Sequence, residues 1–209
     1  MSTTRQIRAK HTILYQGEVP PHIFCVKSGL VRAYTIHENG EEATIAFFGP
    51  NDLFPVGSIF EILPVTLFYY EAFTECTLVS YLPDELTSML ELNPMDELYR
   101  YTKRYIGALL HVNALAQNVA SLKIVHTLRY LAVRFGEKLP DGRHYKISIK
   151  LTQQDIAKLC NLSRETTNIE LNKLKRNNYV NERSKHYVVN LAQLGKLVGE
   201  QFSDDLNFS

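Results

Sequence analysis

The chain has 209 residues, of which 45% are hydrophobic and 22% charged. That length and balance exclude a disordered chain and leave room for one large domain or two small ones. The formal net charge of +1 says nothing about nucleic acid, but the charge is unevenly spread. Residues 51–100 carry one arginine against nine acids, a net of −8, whereas residues 141–190 carry a net of +5. Only the basic third has the sign to face a polyanion, and ordinary solvated faces are the alternative.

The three cysteines, Cys25, Cys76 and Cys160, are far apart and form no CxxC pair. Neither a disulfide framework nor a zinc site is expected, and no metal site. No secretory leader or membrane-length apolar run occurs, so a cytoplasmic protein is expected. No catalytic triad, phosphate loop or GxGxxG is visible, so the chain does not read as an enzyme.

From Thr12 to about Leu82 short apolar runs alternate with turn signals, as in "TILYQGE", "HIFCVKSGLVRAYTI" and "ECTLVSYL". Such regular short strands predict an antiparallel roll or sandwich. Asn39-Gly40 predicts a two-residue hairpin turn with both residues at positive φ. From Pro94 to about Ser121 the period changes to steps of three and four. Leu98, Tyr101, Tyr105 and Leu109, then Val112, Ala116 and Val119, trace a coiled-coil seam, which packs on its own domain or pairs with a second copy.

A further helix is expected over Leu122–Phe135, followed by a turn at Pro140-Asp141-Gly142 and a short strand in "KISIKLT". "LTQQDIAKLCNLSRETTNIELNKL" then reads as two helices about a tight turn. "YVNERSKHYVVNL" reads as a strand pair, and an amphipathic stretch from Leu191 to about Phe202 follows. Strand, helix, helix and hairpin is the order of a winged helix-turn-helix. The expected architecture is therefore α+β, with a roll over residues 1–93, a long helix over 94–121 and a winged helix-turn-helix over 122–209.

Within the helix pair, Thr152 is the expected N-cap of the first helix, with Asp155 as its capping-box partner. Asn161 falls at the turn, where left-handed backbone is needed. Ser163 caps the second helix. Thr167, Leu171 and Leu174 share an inward line, while Arg164 with Asn168 and Glu165 with Ile169 lie on outward lines. Arg can donate twice to guanine O6 and N7, Glu can accept from cytosine N4, and Ile169 can touch a thymine methyl. A solvated Arg164–Glu165 ion pair is the alternative.

"ILYQGEVPPHIFCVKSGLVRAY" and "LSRETTNIELNKL", in this order with a long helix between them, resemble the cyclic-AMP receptor protein and fumarate-nitrate reductase regulator (CRP/FNR) family of bacterial transcription factors. The resemblance covers nearly the whole chain. It implies a homodimer joined along the long helix, a sensory roll of the cyclic-nucleotide-binding jelly-roll type, and a near-palindromic double-stranded DNA operator. It also implies RNA polymerase as a partner. By motif position it makes Arg164 and Glu165 base readers and places Thr152, Gln154, Ser163, Thr166 and Lys185 near phosphates. Ile169 departs from the arginine common in the family.

The family's nucleotide signature is missing. No Lys or Arg occurs between Asn51 and Leu98, and the phosphate-binding arginine position falls near Thr66. Cyclic AMP is therefore disfavoured, because a buried phosphate needs a cationic partner. An iron–sulfur cluster is disfavoured because Met1–Phe24 holds no cysteine. A haem stays open, with His22, His37 and His111 as candidate ligands. Gly57, Ser58, Thr66, Tyr69 and Tyr70 are the expected lining of any small-molecule effector pocket, and the "LFYYEAF" strand can equally be plain core. No cofactor is predicted. The rival to a regulator is a ligand-binding or protein-interaction module whose helix-turn-helix does not read DNA.

Overall fold

The computed structural model describes residues 3–40, 42–55, 57, 64–90 and 94–199, with the backbone alone at 87, 89, 90, 94, 97, 98, 100, 101, 104, 105 and 117. The chain divides into two compact units, Met1–Thr102 and Lys103–Ser209.

In the first unit, eight strands form two four-stranded sheets. These are β1 (Thr3–Ile7), β2 (Thr12–Leu14), β3 (Ile23–Ser28), β4 (Val31–Ile36), β5 (Glu42–Phe48), β6 (Leu53–Phe54), β7 (Tyr69–Ala72) and β8 (Cys76–Tyr81). One sheet runs β1-β8-β3-β6 and the other β2-β7-β4-β5, with antiparallel pairing at every junction. Alternation sends Val26, Leu78 and Phe54 of one sheet, and Val31, Ala33 and Tyr70 of the other, into a shared core. Phe54 stacks on Phe24 at 5.4 Å and on Tyr70 at 5.3 Å, so one ring column joins the two sheets. Helix α1 (Pro83–Leu90) covers the other face of the first sheet, where Leu86 packs with Ile23, Cys25, Leu53 and Val79.

Two turns differ in kind. At Ser28-Gly29 a glycine is required, because Gly29 sits at φ +88° and a Cβ there would lie 2.2 Å from the Glu75 carbonyl oxygen. At Asn39-Gly40 only Gly40 has positive φ (81°), and its N–H donates to the His37 carbonyl. Ile36 pairs with Glu42, so the connection is longer than the expected two-residue turn.

Helix α2 spans Pro94–Gln117 and is followed by α3 (Ala120–Phe135). The long helix thus stops short of Ser121: the Asn118 side chain donates back to the Ala114 carbonyl at 2.8 Å, and Val119, expected on the seam, is an exposed extended linker residue. In the second unit α3 is the central post, burying Ile124, Val125, Leu128 and Leu131. Around it lie α4 (Gln153–Cys160), α5 (Arg164–Arg176), α6 (Leu191–Leu197) and a sheet in the order β11-β12-β10-β9. Its strands are β9 (Gly136–Lys138), β10 (His144–Ile147), β11 (Val180–Arg183) and β12 (His186–Asn190). The expected turn at Pro140-Asp141-Gly142 closes the β9–β10 hairpin, with the Gly142 N–H donating to the Leu139 carbonyl at 2.9 Å, and strand β9 ahead of it is an element not expected from the sequence. No described helix is long and apolar enough to cross a membrane.

Candidate nucleic-acid interface

Both helices of the pair are stopped and started by their own side chains. Thr152 Oγ1 accepts from the Asp155 N–H at 3.1 Å, and Asp155 Oδ2 accepts from the Thr152 N–H at 2.9 Å, a complete capping box. Asn161 ends α4 at φ 52°, ψ 51°, and the Leu162 N–H returns to the Ala157 carbonyl at 3.0 Å. Ser163 Oγ then accepts from the Thr166 N–H at 3.1 Å and starts α5. The buried line Thr167, Leu171 and Leu174 fixes the rotation of α5, with Thr167 Oγ1 donating to the Ser163 carbonyl at 2.9 Å.

That rotation leaves Arg164, Glu165, Asn168 and Ile169 exposed on one side of α5. Among the described residues Arg164 and Glu165 form no ion pair with each other or with any neighbour. An unpaired guanidinium in the first turn runs against the helix dipole, so nothing within the fold accounts for it. Asn172 Nδ2 donates to Asn168 Oδ1 at 3.2 Å, which orients the Asn168 amide with its own N–H groups outward. Sequence reasoning missed Asn172; the i, i+4 spacing of two asparagines was its signal. Ile169 is 50% exposed, an apolar side chain with no intrachain partner face.

The phosphate candidates gather around this helix from three elements. Ser163 donates its hydroxyl proton to Thr166 Oγ1 at 2.8 Å, leaving the Thr166 proton available to an external acceptor. The Leu151 N–H donates to the Lys185 carbonyl at 2.9 Å, which sets the wing turn beside the start of α4, where Thr152 and Gln154 are exposed. The wing turn is a two-residue hairpin: Arg183 pairs with His186, and Ser184 and Lys185 sit at φ 51° and 66°. Neither residue is a glycine, so the turn expected between the two strands is marked by polarity alone.

Of the expected effector residues, Tyr69 and Tyr70 face opposite sides of their sheet. Thr66 is buried, its hydroxyl donates to the Tyr15 carbonyl, and its N–H donates to the Glu18 carbonyl at 2.9 Å. Tyr70 faces the inner ring column, whereas Tyr69 stacks on Tyr34 at 5.3 Å on the opposite side of the sheet. Gly57 is half-buried, and Ser58 lies outside the described residues. Arg32, the fully buried arginine of the roll, donates to Glu42 at 2.6 Å and lies 3.4 Å from Glu71. Of the histidines named for haem, His111 is buried and stacks on Tyr130 at 4.5 Å, and no group of three or more metal-ligating side chains occurs among the described residues.

A capped recognition-type helix with a wing beside it, preceded in the chain by an eight-stranded roll, defines a helix-turn-helix regulator with a sensory-type domain. Comparison with known proteins reaches the same class from both ends. Residues 4–93 match the cyclic nucleotide-binding domain and residues 122–197 the Crp-like helix-turn-helix domain. The chain is 30% identical over 167 residues to the CRP-like cAMP-activated global transcriptional regulator of Mycobacterium tuberculosis, covering 76% of this chain and 70% of that protein. It is 27% identical over 182 residues to the global nitrogen regulator of Synechocystis sp. PCC 6803, covering 85% and 80% respectively. The fold matches that of FixK2 from Bradyrhizobium japonicum with a TM-score of 0.77 at 19% identity, over 94% of this chain and 97% of that one. The chain belongs to the CRP/FNR family of transcriptional regulators.

Proposed function

We propose that two copies of the chain pair along α2 and read a near-palindromic operator, one α5 in each of two successive major-groove turns. The observation that carries this reading is the exposed, unpaired Arg164–Glu165 step, held by caps at the start of α5 on a segment of net charge +5. Arg164 reads a guanine and Glu165 accepts from a cytosine N4. Asn168 offers its amide donors to the same groove, and Ile169 meets a thymine methyl. Thr152, Gln154, Ser163, Thr166 and Lys185 hold phosphates and set the register.

Pairing is supported by an apolar stripe along α2: Met95, Tyr99, Ile106, Leu109 and Leu110 are 73%, 69%, 47%, 51% and 51% exposed. A stripe of that length at coiled-coil spacing is more apolar surface than a monomer normally shows to water. Leu109 and Ala116 of the expected seam are exposed with it, and Val112 is half-buried; the side chains of Leu98, Tyr101 and Tyr105 lie outside the described residues.

The regulator answers to a signal other than cyclic AMP, although its mycobacterial relative is cAMP-activated. Arg32 already faces two carboxylates, Thr66 is spent on the Tyr15–Glu18 turn, and aromatic rings fill the interior of the roll. Neither the family's phosphate position at Thr66 nor the buried arginine of the roll therefore offers a cation for a phosphate. In the cytoplasm the bound dimer acts on RNA polymerase.

The test is retention of duplexes from upstream regions of the source genome across a salt series. Binding should weaken with a log–log slope of about −0.9 per phosphate contact. Failure to retain any duplex at low salt would leave the protein-interaction reading in its place.

A further inference from the structure

The two sheets of the roll part at the edge formed by β1 and β2. Between these strands opens a cavity of about 160 Å³. Ile7, Ile13, Phe24 and Leu78 give it an apolar lining, the buried Ser80 spends its hydroxyl on the Thr3 carbonyl at 3.2 Å, and Arg5 and His11 are its exposed polar residues, with Thr12 half-buried. No carboxylate lines it.

Register explains how a cation comes to stand over this floor. Arg5 pairs with Leu78 across the β1–β8 ladder, and Thr3 with Ser80. Paired residues of an antiparallel ladder share a face, and Leu78 is a core residue at 1% exposure. Ile7, two residues along the same strand, packs on that core. Arg5 therefore sits on the inward face of an edge strand, above the cavity, with its guanidinium reaching the rim. Among the described residues it has no hydrogen-bond or ion-pair partner, unlike Arg32 with its two carboxylates. An inward charge on an edge strand also deters sheet extension. That role needs the charge alone and gives no reason for an apolar cavity beneath it.

Size and chemistry select the ligand. An apolar cavity of about 150 Å³ holds one benzene molecule. We propose that this cleft binds a small monocarboxylic acid with an apolar body of about benzene size, its carboxylate paired with Arg5 and its body on Ile7, Ile13, Phe24 and Leu78. The ring or chain replaces water on the floor, and the carboxylate supplies the partner that Arg5 lacks. Gly57, Thr66, Tyr69 and Tyr70, expected to line an effector pocket, do not line this cleft. The proposal holds whether or not α5 reads DNA.

The test is a methyl NMR titration of the full chain with benzoate, and with benzyl alcohol as the neutral probe of similar shape. Benzoate should shift the methyl signals of Ile7, Ile13 and Leu78 saturably and bind about tenfold tighter than benzyl alcohol, the size expected of one charge-assisted contact. Arg5→Gln, an exposed substitution that leaves the core intact, should remove that difference. Ile13→Phe, which fills the cavity, should abolish the shifts from both probes. The proposal is overturned if these methyls do not respond to benzoate, if the two probes bind equally to the unaltered chain, or if Arg5→Gln keeps the preference.

Discussion

Arg32 donates to the Glu42 carboxylate at 2.6 Å from a position that is 1% exposed, while Glu42 itself stays partly in water. Glu71, on the opposite neighbouring strand, lies 3.4 Å from the same guanidinium, and the Tyr34 ring covers it at 4.2 Å. The arginine thus ties β5, β4 and β7 together on the face of the sheet away from the ring column. Removing it strands Glu71 in a buried site. Arg32→Met should cost about 3–5 kcal/mol in urea denaturation, and Arg32→Met with Glu71→Met should recover more than half of that loss. Equal stability of the single and double variants would show that Glu71 finds water without Arg32.

Burial, and behind it the neighbouring His126, hold the His111 imidazole down to about 4. Its folded pKa lies below its unfolded value, so the unfolded chain binds the extra proton first. The stability it contributes is complete above pH 6.5 and is lost as pH falls towards 4, by about 3 kcal/mol over that window. His111→Phe keeps a ring against Tyr130 and should flatten the fall between pH 6.5 and 4 in thermal melts. An unchanged pH profile would place the acid sensitivity elsewhere.

Asn161 carries the turn between α4 and α5 in left-handed backbone. Asn161→Gly should leave stability the same or slightly higher, and Asn161→Val should cost about 1–2 kcal/mol, because a β-branched side chain meets the following carbonyl there. Comparing the two melting temperatures measures this. A similar melting temperature for both would mean that the turn relaxes into another conformation.

Ser184 and Lys185 hold a type of turn that Asn-Gly would hold with less strain. Replacing them by Asn-Gly should raise stability by about 1 kcal/mol while weakening operator binding, and should lower the salt slope by about one phosphate contact. Stability and affinity moving together would instead make the wing a purely structural hairpin.

The helix pair was legible because its signals are local. Thr152, Asp155, Asn161 and Ser163 act on backbone within a few residues of themselves, and the step between Thr167, Leu171 and Leu174 fixes a face. The first strand was not legible: "TTRQI" has no apolar alternation and becomes a strand only by pairing with β8, far along the chain. The same holds for α1, whose helical face is completed by Leu86 against the outer side of β3. The end of the long helix was missed because neither Gly nor Pro marks it, and a side-chain bond from Asn118 does the work instead. Tyr69 and Tyr70 are both candidates for one pocket in the sequence, yet a strand turns neighbours to opposite faces, and only the pairing of β7 shows which of them faces the core.

The central claim is that Arg164 reads a base rather than a phosphate. The most direct measurement is the affinity of Arg164→Ala for its operator and for a random duplex of equal length at one salt concentration. The account predicts a loss of about 1–3 kcal/mol on the operator, relaxed preference at one guanine per half-site, and little change on the random duplex. Equal losses on both duplexes would contradict it.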